Sequence, residues 1–171
     1  MIWFWNFMLY SFLGFLLEVA YSRATGGRAN RKCLRVLPLC PVYGLGACLI
    51  LLLSGPLLDH PPLLFLTGAL AATAAEYAAA LYYEKLLGVR FWDYHDLPGN
   101  LNGRVCLAFS LAWGVLSLPL VYWIHPVFAP LMASIPAPVS WAALSALLTD
   151  LLLSSVLLRR RGNISCLKWD Q

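Results

Sequence analysis

The sequence predicts an all-α membrane protein, a polytopic bundle of five transmembrane helices. Of its 171 residues 61% are hydrophobic and only 12% are charged, and the mean hydropathy is +0.73. A soluble domain carries about 25% charged residues, so this composition indicates the membrane class. The apolar residues are also gathered into five long runs, and a helix that crosses a bilayer needs roughly 20 such residues.

The five apolar runs are separated by prolines, glycines and charged residues. Lipid offers no hydrogen-bond partner to the backbone, so apolar runs of this length form helices in a membrane. Prolines stand at the start of several runs, where a missing backbone N–H is tolerated. We expect transmembrane helices over residues 2–21, 39–58, 63–87, 105–127 and 139–158. They would form a single domain over residues 1–160, followed by a short basic cytoplasmic tail over residues 161–171.

All 12 lysines and arginines lie within, or at the edge of, alternate connections between the apolar runs. The first loop, the third loop and the tail hold them, whereas the second and fourth loops hold none. Loops rich in lysine and arginine stay in the cytoplasm, so we expect the N-terminus outside and the C-terminus in the cytoplasm. The net charge of +4 is then an insertion signal and a match to anionic membrane lipids, and no nucleic-acid partner is expected.

Four acidic residues fall within or near the apolar runs: Glu18, Glu76, Glu84 and Asp150. An ionisable group at the centre of a membrane helix costs about 2.5–3.5 kcal/mol, so each needs a partner, a proton or a water-filled cavity. Glu76 and Glu84 are eight residues apart, which is about 12 Å along one helix and about 80° around it, so both can face one interior. The alternative is that these carboxylates are protonated, or join helices through hydrogen bonds, without a further role.

One connection concentrates polar groups: RFWDYHDLPGNLNGRVC, residues 90–106. Arg35 and Arg104 lie before the predicted second and fourth helices, whose N-termini present free N–H groups and partial positive charge. Because a guanidinium keeps its proton, we expect Arg104 to form charge-assisted hydrogen bonds with at least one nearby carboxylate. Asn100 and Asn102 belong to turn dipeptides with glycine and would brace the same loop. The candidate carboxylates are Glu18, Glu84 and Asp93.

The sequence offers little support for metal or cofactor chemistry. Asp93, His95 and Asp96 could form half of a metal site, but such groupings are common by chance, and we expect neither a metal nor another cofactor. No G-x-x-x-x-G-K-[ST], G-x-S-x-G or H-E-x-x-H motif is present in the sequence, so it gives no sign of phosphate-loop ATP hydrolysis or of a familiar hydrolase. The five cysteines show no C-x-x-C pair and no zinc spacing.

Four stretches of the sequence carry a recognisable pattern of motifs. They are FLGFLLEVAYS (12–22), LPLCPVYGLGA (37–47), EYAAALYYEKLLGVRFWDYHDLPGNLNGRVC (76–106) and SLAWGVL (110–116). The motifs are a Gly and then a Glu late in helix 1, Pro-x-Tyr-Gly at the start of helix 2, and Trp-Asp-Tyr with Asn-x-Asn-Gly-Arg before helix 4. In these motifs the chain resembles the bacterial membrane family labelled putative ABC-transporter type IV, permease-like. It departs from the family's pattern at His95, where serine is frequent, and at Gly99, where the family has phenylalanine.

The resemblance implies a permease-like subunit for a separate ATPase, in the cytoplasmic (inner) membrane of a bacterium, and it names no substrate. The motifs and the charges together predict a polar, substrate-binding site at the cytoplasmic side of the bundle. Its residues would be Glu18, Arg35, Tyr43, Glu76, Glu84, Asp93, Asn100, Asn102 and Arg104. The partners expected are membrane lipids, further copies of the chain or a larger membrane complex, and the ATPase subunit.

Three kinds of function stay open. A transport subunit would line a substrate or proton path with its carboxylates, and five helices are few for such a machine, so it would need an oligomer or a partner. An integral-membrane enzyme would use the carboxylates in acid–base chemistry on a lipid or isoprenoid phosphate held by arginines. A structural or regulatory scaffold would use the polar loop only to cap helices. The enzyme would draw on Glu18, Glu76, Glu84 and Asp93, with Arg35 and Arg104.

Overall fold

The computed structural model describes residues 1–26 and 33–167 as a bundle of α-helices. The helices are α1 (Ile2–Ala24), α2 (Pro41–Ser54), α3 (Pro61–Tyr82), α4 (Leu107–Pro119), α5 (His125–Ala133) and α6 (Ala137–Arg161). Short 3₁₀- or π-helical turns follow several of them, at Gly55–Leu57, Tyr83–Leu87, Leu120–Ile124 and Ile164–Leu167. The described residues form no β-strand. The predicted all-α class is therefore confirmed.

Four helices are long and apolar enough to cross a membrane, and a fifth apolar helix, Pro41–Leu57, is shorter. The four long ones are Ile2–Ala24, Pro61–Leu87, Leu107–Ala133 and Ala137–Arg161. Each of the five corresponds to one of the apolar runs of the sequence. The chain is therefore a multi-pass membrane protein, with one helix that is shorter than the prediction.

Prolines and glycines set most of the helix ends. Helices α2, α3 and α6 each carry a proline in the first turn, where its missing N–H needs no partner. The turn after α3 ends at Gly88 and α6 ends at Gly162, both in the left-handed conformation with φ of 69° and 61°. The fourth span continues beyond its predicted end to Ala133, because a π-helical turn follows Pro119 and carries the helix on.

Small residues bring the central helices together. Helix α2 packs between α1 and α3, and α3 packs between α2 and α4. Gly68 of α3 lies so close to α4 that a Cβ there would overlap the Ser117 side chain, which is the close approach that small residues allow in lipid. The main apolar core consists of Tyr10, Ala47, Ile50, Leu64, Ala71, Ala72, Leu120 and Val121.

The connection before α2 lies inside the bundle. The Cys40 N–H donates to the Ser11 carbonyl at 2.9 Å, so α2 begins about halfway along α1. This explains why α2 is shorter than the predicted run, which included the residues before Pro41. Leu34 and Leu39 of the connection pack with Leu147 of α6 in a second apolar cluster. Non-helical backbone at this depth is tolerated because protein covers it.

Asp150 of α6 holds this connection. It is only 3% exposed, and its carboxylate accepts the backbone N–H groups of Val36 at 3.1 Å and Leu37 at 2.6 Å. One turn further along α6, Ser154 Oγ accepts the Arg35 N–H at 2.8 Å. Asp150 is thus a hydrogen-bonded link between a helix and a loop, as the structural alternative for the buried carboxylates predicts.

The end of α3 and the end of α6 lie together. Leu87 and Val89 pack with Leu158 and with Leu167, which is fully buried in the short turn after α6. Basic residues of the third loop and the three arginines that close α6 therefore gather at one end of the bundle.

Candidate functional site

Glu76 lies inside the bundle, as predicted. Its side chain is on α3 and the residue is only 5% exposed. Tyr94 Oη donates to one carboxylate oxygen at 3.1 Å, and Trp113 Nε1 donates to the other at 3.0 Å. These donors come from the polar loop and from α4, so the carboxylate joins three elements of the fold.

A second carboxylate is linked to the same group. Tyr43 Oη of α2 donates to Glu18 of α1 at 2.7 Å, and the Tyr43 and Trp113 rings lie 5.0 Å apart. Gly14 makes this arrangement possible, because a Cβ there would overlap the Tyr43 ring. We call Glu18, Tyr43, Glu76, Tyr94 and Trp113 the interior cluster.

Aromatic stacking positions the loop tyrosine in the interior cluster. The Phe109 ring of α4 stacks on Tyr94 at 4.9 Å with an interplanar angle of 24°. Phe109 also meets Tyr21 of α1 edge to face, with the ring centroids 6.3 Å apart. Tyr94 therefore reaches Glu76 from a loop but is held by two helices.

Arg104 pairs with Glu84, which confirms the predicted charge-assisted contact. Its Nε and Nη2 atoms both donate to Glu84 Oε2, at 3.0 and 2.6 Å, and both side chains are 14% exposed. Nη1 donates to Tyr77 Oη at 3.2 Å, and Asn102 Nδ2 donates to the same hydroxyl at 3.1 Å. Arg90 adds a second cation, with Nε 3.3 Å from Glu84 Oε1. We call Tyr77, Glu84, Arg90, Asn102 and Arg104 the loop cluster.

Asn100 braces the polar loop, as predicted. Its amide nitrogen donates to the carbonyls of His95 and Leu97 at 3.0 and 2.9 Å, while its oxygen accepts the Gly103 N–H at 3.1 Å. Asn102 has φ of 55°, in the left-handed region that asparagine tolerates. The many polar groups of this connection are thus used largely to hold its own backbone in one shape.

Asp93 lies at the exposed edge of the loop cluster and is linked to it through Arg90. Its side chain is 48% exposed and contacts His95 Nδ1 and, at 3.2 Å, Arg90 Nη1. Hydrogen bonds from the His95 side chain and backbone lower the pKa of Asp93. Among the residues that the structure describes, no group of three or more His, Cys, Asp or Glu side chains is arranged to hold a metal ion.

The nine predicted site residues therefore fall into different places. Glu18, Tyr43 and Glu76 meet in the interior cluster, and Glu84, Asn102 and Arg104 meet in the loop cluster. Asn100 braces the loop backbone, and Asp93 lies at the exposed edge of the loop, joined to the loop cluster through Arg90. Arg35 lies before α2 beside Ser154. The set that the sequence treats as one polar site is divided over the bundle and its loop.

Four contributors were missing from the predicted site: Tyr77, Arg90, Tyr94 and Trp113. Tyr94 and Trp113 lie within motifs that the sequence already singled out, but nothing in a one-dimensional pattern shows that their polar atoms reach Glu76. Tyr77 follows Glu76 directly in the sequence, and this adjacency is the signal that could have marked it as a candidate site residue. On a helix that neighbour points about 100° away, which directs it to the loop cluster.

The two clusters differ in charge. None of the ion pairs within residues 1–26 and 33–167 involves Glu18 or Glu76. Their partners are phenol and indole groups, which carry no positive charge. Glu84, by contrast, meets two guanidinium groups. The interior cluster thus holds carboxylates whose charge is not matched by a cation of the described chain.

The helices and the buried carboxylates define an integral membrane protein of several spans. The chain belongs to the family described as putative ABC-transporter type IV, whose sequence profile matches residues 5–157. This match includes most of α6 as well as the motifs in the first four runs. A search of curated proteins found no match, and a search of solved structures found none.

Proposed function

We propose that the protein is a permease-like transport subunit, and that the interior cluster lies on the path of the transported or coupled species. The observation that carries this proposal is Glu76, a carboxylate buried between three elements and bound by two neutral donors. An unmatched carboxylate in a membrane bundle is costly, so it marks a place that takes a proton or a cationic group. Family membership supports the same class of function.

The state of Arg104 favours transport over catalysis on a lipid phosphate. Such an enzyme would need a guanidinium available to the phosphate, whereas all three donor nitrogens of Arg104 already contact Glu84 or Tyr77. The loop cluster is better suited to fixing the loop that carries Tyr94. Asp150 itself has a structural role, because it binds backbone N–H groups of the connection before α2. This role does not extend to Glu18 and Glu76, which bind side chains.

We place the protein in the cytoplasmic (inner) membrane of a bacterium, with its basic end in the cytoplasm. Four long spans and one shorter helix are few for an alternating-access transporter, so the subunit would act as a homo-oligomer, in a larger complex or with a separate ATPase.

Transport is tested in liposomes that contain the purified full chain. Currents are recorded on a solid-supported membrane while cationic, anionic and zwitterionic compounds are applied in turn. We expect currents with a cationic class, more than about tenfold smaller in Glu76→Gln, because the amide can replace both hydrogen bonds but not the charge. Asp59→Asn, in the exposed turn between α2 and α3, is the matched control and should keep them. Full currents in Glu76→Gln would mean that the carboxylate only joins helices.

Orientation is tested by labelling cysteines in intact cells. In a variant without native cysteines, His60→Cys is expected to react with an impermeant maleimide from outside, whereas Arg160→Cys should react only after permeabilisation. Both residues are exposed and lie in the α2–α3 turn and at the end of α6. The reverse labelling pattern would contradict the proposed orientation and place the C-terminus outside.

A further inference from the structure

Outside the two clusters, the structure brings two cysteines together at the connection into α2. The Sγ atoms of Cys33 and Cys40 are 2.8 Å apart, which is closer than van der Waals contact between sulfur atoms. The distance exceeds the roughly 2.05 Å length of a disulfide bond by less than about 1 Å. We propose that Cys33 and Cys40 form a reversible thiol–disulfide modification site whose oxidant is a hydroperoxide.

The exposure of the two thiols assigns their roles. Cys33 is half-buried and is the more exposed of the two residues, whereas Cys40 is fully buried against the bundle. The accessible thiol of such a pair reacts with the oxidant and the buried neighbour resolves the product. Cys48 offers no comparable pair, since its thiol contacts the Trp3 carbonyl.

The reaction has two steps. In the first, the Cys33 sulfur attacks the hydroperoxide, an S–O bond forms as the O–O bond breaks, and the rest of the oxidant takes the thiol proton of Cys33 and leaves as an alcohol, or as water from hydrogen peroxide. Cys33 is then a sulfenic acid. In the second, the Cys40 sulfur attacks the Cys33 sulfur, an S–S bond forms as the S–O bond breaks, and the hydroxyl leaves as water with the thiol proton of Cys40. The thiols lose two electrons and the hydroperoxide gains two.

The site would act on the start of α2. Between the two cysteines, the N–H groups of Val36 and Leu37 are bound by Asp150, and Cys40 is bound to the Ser11 carbonyl. A disulfide would close this segment into a ring directly before the helix that carries Tyr43. Since cytoplasmic thiols are kept reduced, the bond would form only under oxidising conditions and would be removed afterwards.

The test uses the full chain, reduced and held in lipid nanodiscs. The protein is treated with hydrogen peroxide, denatured, and alkylated with N-ethylmaleimide, and its intact mass is measured. We expect five adducts before oxidation, one for each cysteine, three after it, and five again after dithiothreitol. Trypsin cuts after Arg35, between the two cysteines, so the two fragments should stay joined only through the disulfide.

Variants separate the two steps. After oxidation, Cys33→Ser should keep all four of its remaining adducts. Cys40→Ser should either keep all four of its own or trap a sulfenic acid at Cys33, which dimedone labels. Cys166→Ser is the matched control and should still lose two adducts. The proposal is overturned if the wild-type protein keeps five adducts, if it stops at a sulfenic acid, or if the disulfide maps to another pair or joins two molecules. These outcomes in the wild-type chain stand even if a variant fails to fold.

Discussion

Glu76 of α3 and Glu84 of the π-helical turn that continues α3 stand eight residues apart and meet opposite surroundings. Glu84 lies at the end of the helix, where Arg104 and Arg90 match its charge. Glu76 lies inside, where Tyr94 and Trp113 donate hydrogen bonds without bringing a charge. A charge that already has its cation fixes a structure, whereas a buried carboxylate held by neutral donors can still take up a proton or a cation. Glu84 therefore stabilises the structure around the site, whereas Glu76 is the carboxylate that remains able to bind a proton or a cation.

The largest effect on this comparison is expected from Arg104. Arg104→Ala removes both guanidinium hydrogen bonds to Glu84 Oε2 and should release the loop, so amide exchange at Tyr94 and Leu101 should rise more than about tenfold. Arg104→Lys should be nearly as damaging, because a lysine keeps the charge but cannot reach Glu84 and Tyr77 at once.

Hydrogen–deuterium exchange with mass spectrometry measures this effect on the loop peptides. The matched control is Arg90→Ala, whose side chain is 54% exposed and lies further from Glu84, so its loop peptides should exchange almost as in the wild type. A loop that stays protected in Arg104→Ala would show that the asparagine and backbone bonds suffice.

A smaller effect is expected from Tyr94→Phe, which removes one of the two donors to Glu76. A hydrogen bond to a charged group contributes about 1.5–3 kcal/mol. The free energy of unfolding of the variant should therefore be lower than that of the wild type by an amount of this order, and its melting temperature should fall. Its ring can still stack on Phe109. Thermal unfolding in detergent measures the loss, with Tyr82→Phe on the exposed face of α3 as the control. Equal melting of both variants would mean that Glu76 does not depend on the tyrosine.

The smallest effect is expected at Asp93, and it depends on pH. Its pKa is lowered in the folded chain, so the carboxylate stabilises the fold above its ordinary pKa, and this contribution is lost as the pH falls through the lowered value. Asp93→Asn should therefore melt slightly earlier than the wild type at pH 7, with the difference vanishing in strong acid. Thermal unfolding across that range measures it, and a difference that persists in acid would assign the effect to packing.

The sequence predicts the helices well because lipid leaves the backbone few alternatives. Length and hydropathy place all five apolar helices, and the cost of buried charge correctly singles out Glu76 and the need of Arg104 for a carboxylate, which proves to be Glu84 among the three candidates. These predictions rest on properties of single segments and on the obligation of each charge to find a partner.

The sequence does not predict which segments leave the expected path through the bilayer. Its run over residues 39–58 gives no sign that α2 begins at mid-depth, because the reason lies in a bond from Cys40 to Ser11 of another helix. For Asp150 it leaves open what the carboxylate binds, and the two backbone N–H groups that it holds are far away in sequence. Nothing in the sequence shows that Tyr94 reaches Glu76, because only the fold brings the two side chains together.

The link from Asp150 to Val36 joins residues 114 positions apart, and this has a consequence for biosynthesis. The ribosome makes the connection before α2 long before it makes α6, so the N–H groups of Val36 and Leu37 exist in the nascent chain without their acceptor. Loops closed over such distances form late. The first connection of the protein can thus reach its final position only after the last helix has been inserted, and a chain that stops before α6 would expose that connection to quality-control proteases.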